Sequence, residues 1–84
     1  MSSIEDTLRD ILIEDLFVEK EKSSILTTDS FRQDLGVDSL GFVELKSRIE
    51  EIFGIAIGDD DFTPENFSTI ASLTGFIEQC RSAV

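Results

Sequence analysis

Ser39 stands in the run Gly36-Val37-Asp38-Ser39-Leu40, where a polar segment gives way to a helical pattern. A hydroxyl there sits at the positive end of a helix, among backbone N–H groups that have no partner inside the helix. Such a position suits a phosphate, bound or covalently attached. A serine at a helix start is most often a structural cap. Here Asp38 precedes it and fills the capping role, which leaves the Ser39 hydroxyl free. A nucleophile reading lacks partners. The chain has no histidine, no lysine adjoins Ser39 in sequence, and the second glycine of a nucleophile elbow is missing. The residues favour a serine that another enzyme modifies over a serine that attacks.

The elements that must position Ser39 follow from periodicity. A first helix is expected from Ser3 to Phe17. Ser2-x-x-Glu5 fits a capping box, and Ile4, Leu8, Ile11 and Leu12 recur at helical spacing. Glu5, Asp6, Asp10 and Glu14 fall on the watery side. Residues 19–37 show no period and read as a long loop, pinned to the core by Ile25, Leu26, Phe31 and Leu35. A second helix starts with Asp38 as N-cap and Ser39 as its first residue. It ends at Phe53, before a left-handed Gly54. Its wheel buries Phe42, Leu45, Ile49, Ile52 and Phe53 and turns Leu40, Val43, Glu44, Ser47, Glu50 and Glu51 outward. Leu40 and Val43, apolar beside acids and next to Ser39, read as the centre of a docking face.

Thr63-Pro64 predicts a short helix over Pro64 to Phe67, with proline at its first position. Ser68 or Thr69 then caps a last helix that runs to about Ser82, with Ile70, Leu73, Phe76, Ile77 and Cys80 as its stripe. The expected fold is all-α: a small bundle of three main helices plus one short helix, with a long loop between the first two. Residues 1–84 are expected to form one freestanding domain, with no strand.

Composition narrows the function classes. There are 18 acids against 7 bases, a net charge of −11, so a nucleic-acid backbone would be repelled. Partners with basic faces would instead be drawn in. One cysteine allows no internal disulfide, and the absence of histidine removes the commonest metal ligand. No apolar run approaches the ~18 residues of a membrane helix, and the N-terminus lacks a signal-peptide pattern. A cytoplasmic protein that does not engage membranes, working as a monomer, is expected. Asp59-Asp60-Asp61 fails as a calcium loop, because Pro64 and Ile70 fall where a glycine and a glutamate belong. A solvated acidic turn is expected, and no metal site. Cys80 lies in an apolar stripe and reads as a buried, inert thiol. Phe42, beside Ser39, reads as core or as the mouth of a pocket, and Phe53, Phe62, Phe67 and Phe76 read as core.

Leu35-Gly36-Val37-Asp38-Ser39-Leu40, followed by Val43-Glu44-Leu45, resembles the attachment site of acyl carrier proteins. The resemblance extends over nearly the whole chain in helix order, length and acidity. It implies a non-enzymatic carrier. Ser39 would hold a covalent 4′-phosphopantetheine arm, derived from coenzyme A, through a phosphodiester, and the arm's thiol would hold acyl groups as thioesters. Asp38 matches the acid that lies near metal and cofactor during arm transfer. Leu40 and Val43 match apolar contacts to partner enzymes, and Glu44, Glu50 and Glu51 match acidic positions facing basic partner surfaces. The implied partners are a phosphopantetheinyl transferase and acyl-loading, ketosynthase or other acyl-processing enzymes.

The chain departs from fatty-acid carriers at four places. Gly41 replaces an acid after Asp-Ser-Leu, Lys46 and Arg48 add positive charge, and Ser47 stands where a larger apolar side chain is usual. Gly41 is expected to let partners approach the backbone. These departures point to a polyketide or related secondary-metabolite carrier. A fatty-acid carrier and a peptidyl carrier are the alternatives within the family, although Val37 fits the glycine-rich peptidyl motif poorly. Outside it stand a carrier fold without the arm and an acidic, calcium-responsive helical interaction module.

Overall fold

The computed structural model describes residues 4–82, so the capping residue expected at Ser2 lies outside it. Helix α1 spans Ile4–Glu14, α2 Ser39–Phe53 and α3 Ile70–Ser82, with a single 3₁₀ turn at Lys22–Ser24. Among the described residues there is no strand, only an isolated bridge between Ser30 and Thr69. Helix α1 packs against both α2 and α3. One core unites Leu8, Ile11 and Leu12 of α1, Leu45 and Ile49 of α2, and Ile70, Leu73 and Ile77 of α3. These are the positions that a 3.6-residue period places on one face of each helix.

Helix α1 ends three residues before the expected Phe17. A wide turn follows, in which the Leu16 N–H donates to the Ile11 carbonyl (3.2 Å), and Phe17 takes a left-handed φ of 56°. An aromatic side chain is a poor occupant of that region, so hydrophobic periodicity gives no sign of the stop.

The segment between α1 and α2 is ordered by buried anchors. Ile25, Phe31, Leu35 and Val37 enter the core, whereas Leu26 is 57% exposed, against expectation. The reason is Asp29, a buried carboxylate that accepts the Leu26 N–H (3.0 Å) and the Lys20 ammonium (2.8 Å). This local turn fixes the backbone of Leu26 and leaves its side chain in water. The segment is also laced to the start of α3. The Phe31 N–H donates to the Ser68 carbonyl (3.0 Å) and the Ala71 N–H to the Thr27 carbonyl (2.9 Å).

The expected short helix is a single turn. Thr63 Oγ1 accepts the Asn66 N–H (3.3 Å) and the Thr63 carbonyl accepts the Phe67 N–H (3.0 Å). Four residues cannot recover the cost of helix nucleation, and the chain turns at once into α3. There Thr69 is the N-cap. Its Oγ1 accepts the Ser72 N–H while Ser72 Oγ accepts the Thr69 N–H, both at 3.1 Å. This is a reciprocal cap with serine in the usual glutamate place.

Helix α2 follows its expected bounds. Gly54 at φ 66° closes it, donating its N–H to the Glu50 carbonyl. Two of its residues differ from the wheel. Ile52 is 45% exposed, because a wheel gives an angle but not whether a neighbour covers the last turn. Glu50 is half-buried, and its carboxylate accepts the Ile57 N–H at 2.8 Å with the Lys46 ammonium 3.5 Å away.

Candidate functional site

The start of α2 is built by three residues in sequence. Gly36 takes a left-handed φ of 69°, which a side chain would strain. Val37 is buried and anchors the approach. Asp38 has extended backbone and caps the helix, its Oδ1 accepting the Gly41 N–H at 2.8 Å. The first helical bond runs from the Phe42 N–H to the Asp38 carbonyl (2.9 Å). Ser39 is therefore the first helical residue, exposed, and no described residue engages its hydroxyl. The separation of cap from free hydroxyl, inferred from residue order, holds in the geometry.

Beside Ser39, Leu40 is 81% and Val43 54% exposed, with Glu44, Ser47 and Glu51 also in water. Glu51 pairs with Arg48 (3.2 Å). Five of the six outward residues thus share an accessible face. Glu50 does not join them, because its carboxylate is committed to Ile57 and Lys46.

Adjoining that face, and sharing Val43 with it, runs a half-open groove of ≈ 470 Å³. Phe42 and Val43 of α2 form one wall, and Phe62, Pro64 and Phe67 form another. Phe62 meets Phe67 edge to face at 4.9 Å, and Phe42 meets Phe31 at 6.2 Å. Phe42 thus lines the groove, as do Phe62 and Phe67, expected as core alone. Arg32 lines it too, and no motif or period in the sequence marks it. A lone arginine in an aperiodic segment carries no local signal of where it points.

A sequence profile described as "Phosphopantetheine attachment site" matches residues 6–77. An acyl carrier protein of Afipia carboxidovorans is 43% identical over 79 residues, covering 94% of this chain and 95% of that one. The chain belongs to the acyl carrier protein family.

The solution structure of a holo acyl carrier protein from Nitrosomonas europaea superposes with a TM-score of 0.84, covering 96% of this chain and 99% of that one. At 24% identity it establishes the shared fold. As an acyl carrier the chain is not an enzyme, and its cofactor is a covalently bound 4′-phosphopantetheine. The site fits that group. It presents an exposed primary hydroxyl at a helix start and an apolar-walled groove alongside it.

The features that set this carrier apart have structural causes. A Cβ on Gly41 would lie 2.9 Å from Val37 Cγ1, 3.3 Å from Asp38 Oδ1 and 3.6 Å from Leu16 Cδ2. The packing under α2 alone accounts for a glycine there. Lys46 pairs with Glu50, and Arg48 pairs with Asp15 (3.1 Å) and Glu51 (3.2 Å). Asp15 beside it, then Glu51, raises the pKa of the Arg48 guanidinium. Both basic residues serve the domain's own cohesion.

Asp59, Asp60 and Asp61 lie exposed in a turn. Cys80 is half-buried rather than buried, and burial, with the charge of Asp61 second, pushes its thiol up and keeps it protonated.

Proposed function

We propose that Ser39 is the residue that carries the arm. The observation behind this is the uncommitted hydroxyl of Ser39, exposed at the first position of α2 while Asp38 alone does the capping. In the loading step Ser39 Oγ would form the bond to the pantetheine-side phosphorus of coenzyme A as that phosphorus loses its bond to the bridging oxygen, and adenosine 3′,5′-bisphosphate would leave. The serine proton passes to a base of the transferase, since this chain has no histidine. Asp38 keeps the helix start fixed and adds negative charge where the transferase would bring metal and coenzyme A. Once attached, the arm supplies a thiol on which acyl groups ride as thioesters.

Leu40 and Val43 form the apolar centre of a docking face, with Ser47, Glu44 and Glu51 at its rim, for enzymes with basic surfaces. Steered, weak contacts permit rapid exchange between successive partners, and the tether raises the effective concentration of the cargo at each. The reading keeps the chain a monomeric, cytoplasmic carrier of acyl intermediates.

For the pathway, the exposed Ser47 on this face favours polyketide or related secondary-metabolite synthesis, because it replaces apolar docking area with a small hydroxyl. A fatty-acid carrier is the second reading. It gains from the internal roles of Gly41, Lys46 and Arg48, which remove three of the four departures as signs of a special partner.

Incubation with coenzyme A and a broad-range phosphopantetheinyl transferase tests the attachment. Intact-mass analysis should show one arm added to the parent chain and none to Ser39→Ala. An unmodified parent chain, or a modified alanine variant, would overturn the assignment. The mass of the thioester isolated from the native host separates the two pathways.

A further inference from the structure

Seven cationic side chains occur in this chain, and five of them are in ion pairs: Arg9, Lys20, Lys22, Lys46 and Arg48. Among the described residues Arg32 and Arg81 pair with no carboxylate, and each guanidinium lies over a phenylalanine ring 5.9 Å from its centroid. Arg81 covers Phe53, away from the site. Arg32 covers Phe42, and among the described residues it is the only cation lining the groove that includes Ser39. In a chain with 18 acids, Arg32 is, of these two guanidiniums without a carboxylate among the described residues, the one that borders the groove. Phe42 follows Ser39 by three residues, so the two side chains are neighbours on one face of α2. The Arg32 guanidinium therefore lies beside the face that carries the Ser39 hydroxyl.

We propose that Arg32 binds the phosphodiester of the arm and so directs the arm along the groove instead of into solvent. The inference rests on Ser39 as the attachment point. A phosphodiester carries one negative charge over two free oxygens, and the planar fork of arginine matches such a pair with two parallel N–H···O bonds. The cation–π contact with Phe42 keeps that fork over the ring, on the groove side. The unpaired N–H groups of the first turn of α2 add donors from the other side. The Asp38 carboxylate opposes the phosphate, but it already accepts the Gly41 N–H. Held at its root by Arg32, the arm starts beside Phe42, with Phe62 and Phe67 further along.

The test uses the full chain, converted with coenzyme A and a transferase, as the parent, Arg32→Gln and Arg32→Lys, with conversion confirmed by intact mass. The Arg32 Nε–H resonance and the ³¹P resonance of the phosphodiester are then recorded. The expected result is a shift of the Nε–H signal on going from apo to holo protein. The ³¹P signal should differ between the parent and Arg32→Gln, with Arg32→Lys between them, because lysine keeps the charge but not the fork. That difference should shrink at about 1 M salt, where the Debye length falls to ~3 Å. Coincident ³¹P spectra with an unmoved Nε–H signal would overturn the proposal. So would an Nε–H signal that moves only when the arm carries a carboxylate-bearing acyl group, which would make Arg32 a reader of cargo. Failure of the parent chain to gain the arm would remove the Ser39 assignment and this proposal together. A loaded arm with a silent Arg32 would remove only this one.

Discussion

Gly41 shows how a residue's meaning can invert once its neighbours are known. On propensity alone, Gly41→Ala should add about 1 kcal/mol to an exposed helix. The new methyl would instead meet the buried, β-branched Val37 at 2.9 Å. Overpacking of that kind costs ~1–3 kcal/mol, and the propensity gain offsets only part of it. Urea denaturation of Gly41→Ala should show a net loss of stability, and a rise in the midpoint would refute the packing account. The acids of α2 divide in a similar way. Glu44 is exposed, whereas Glu50 holds the Ile57 N–H. Glu44→Lys should slow arm loading at low salt and leave the melting temperature within about a degree. Glu50→Lys should lower the melting temperature, because it leaves a backbone donor unmet and sets a cation beside Lys46. Equal melting temperatures for the two variants would count against the distinction.

The long connection between α1 and α2 is the element that periodicity left blank, and its order rests on polar groups as much as on Phe31 and Ile25. Asp29 is central. The hydrogen bond from the Lys20 ammonium, then that from the Leu26 N–H, holds its carboxyl below the usual aspartate range. The Ile57 N–H does the same for Glu50, with Lys46 helping. A carboxyl whose pKa falls on folding gives stability that is fully present above its unfolded value. That stability is lost as pH drops through the folded value. The fold should therefore be insensitive to pH near neutrality and weaken on the acid side, through and below the ordinary carboxylate range. Asp29→Asn should flatten that acid limb in a series of denaturation midpoints against pH. A limb of unchanged slope would show that the Asp29 turn is incidental. The α1 stop at Phe17 and the single turn at 64–67 belong to the same scale. Both are decided by local backbone geometry, on which hydrophobic spacing is silent.

Over the whole molecule, the net charge of −11 acts on stability and on association with opposite sign. Self-repulsion among 18 acids disfavours the compact state, while the same field draws basic partners. Raising the salt from low concentration to about 0.1 M, where the Debye length is ~10 Å, should raise the melting temperature and slow partner association. A melting temperature that falls with salt would mean that the ion pairs outweigh the repulsion. The sequence by itself determined the all-α order, the bounds of α2, Asp38 as its cap, the free hydroxyl of Ser39 and the exposed Leu40–Val43 face. Each of these depends on contacts within a few residues along the chain or on helical period, which the order of residue types encodes. Tertiary structure decided the rest. It turned Glu50 inward, made Gly41 a packing requirement, left Leu26 and Ile52 in water, and brought Arg32, Phe42, Phe62 and Phe67 around one groove. Those outcomes depend on which segments meet across tens of residues, and on where along its length a helix is covered, which spacing along a single chain cannot supply.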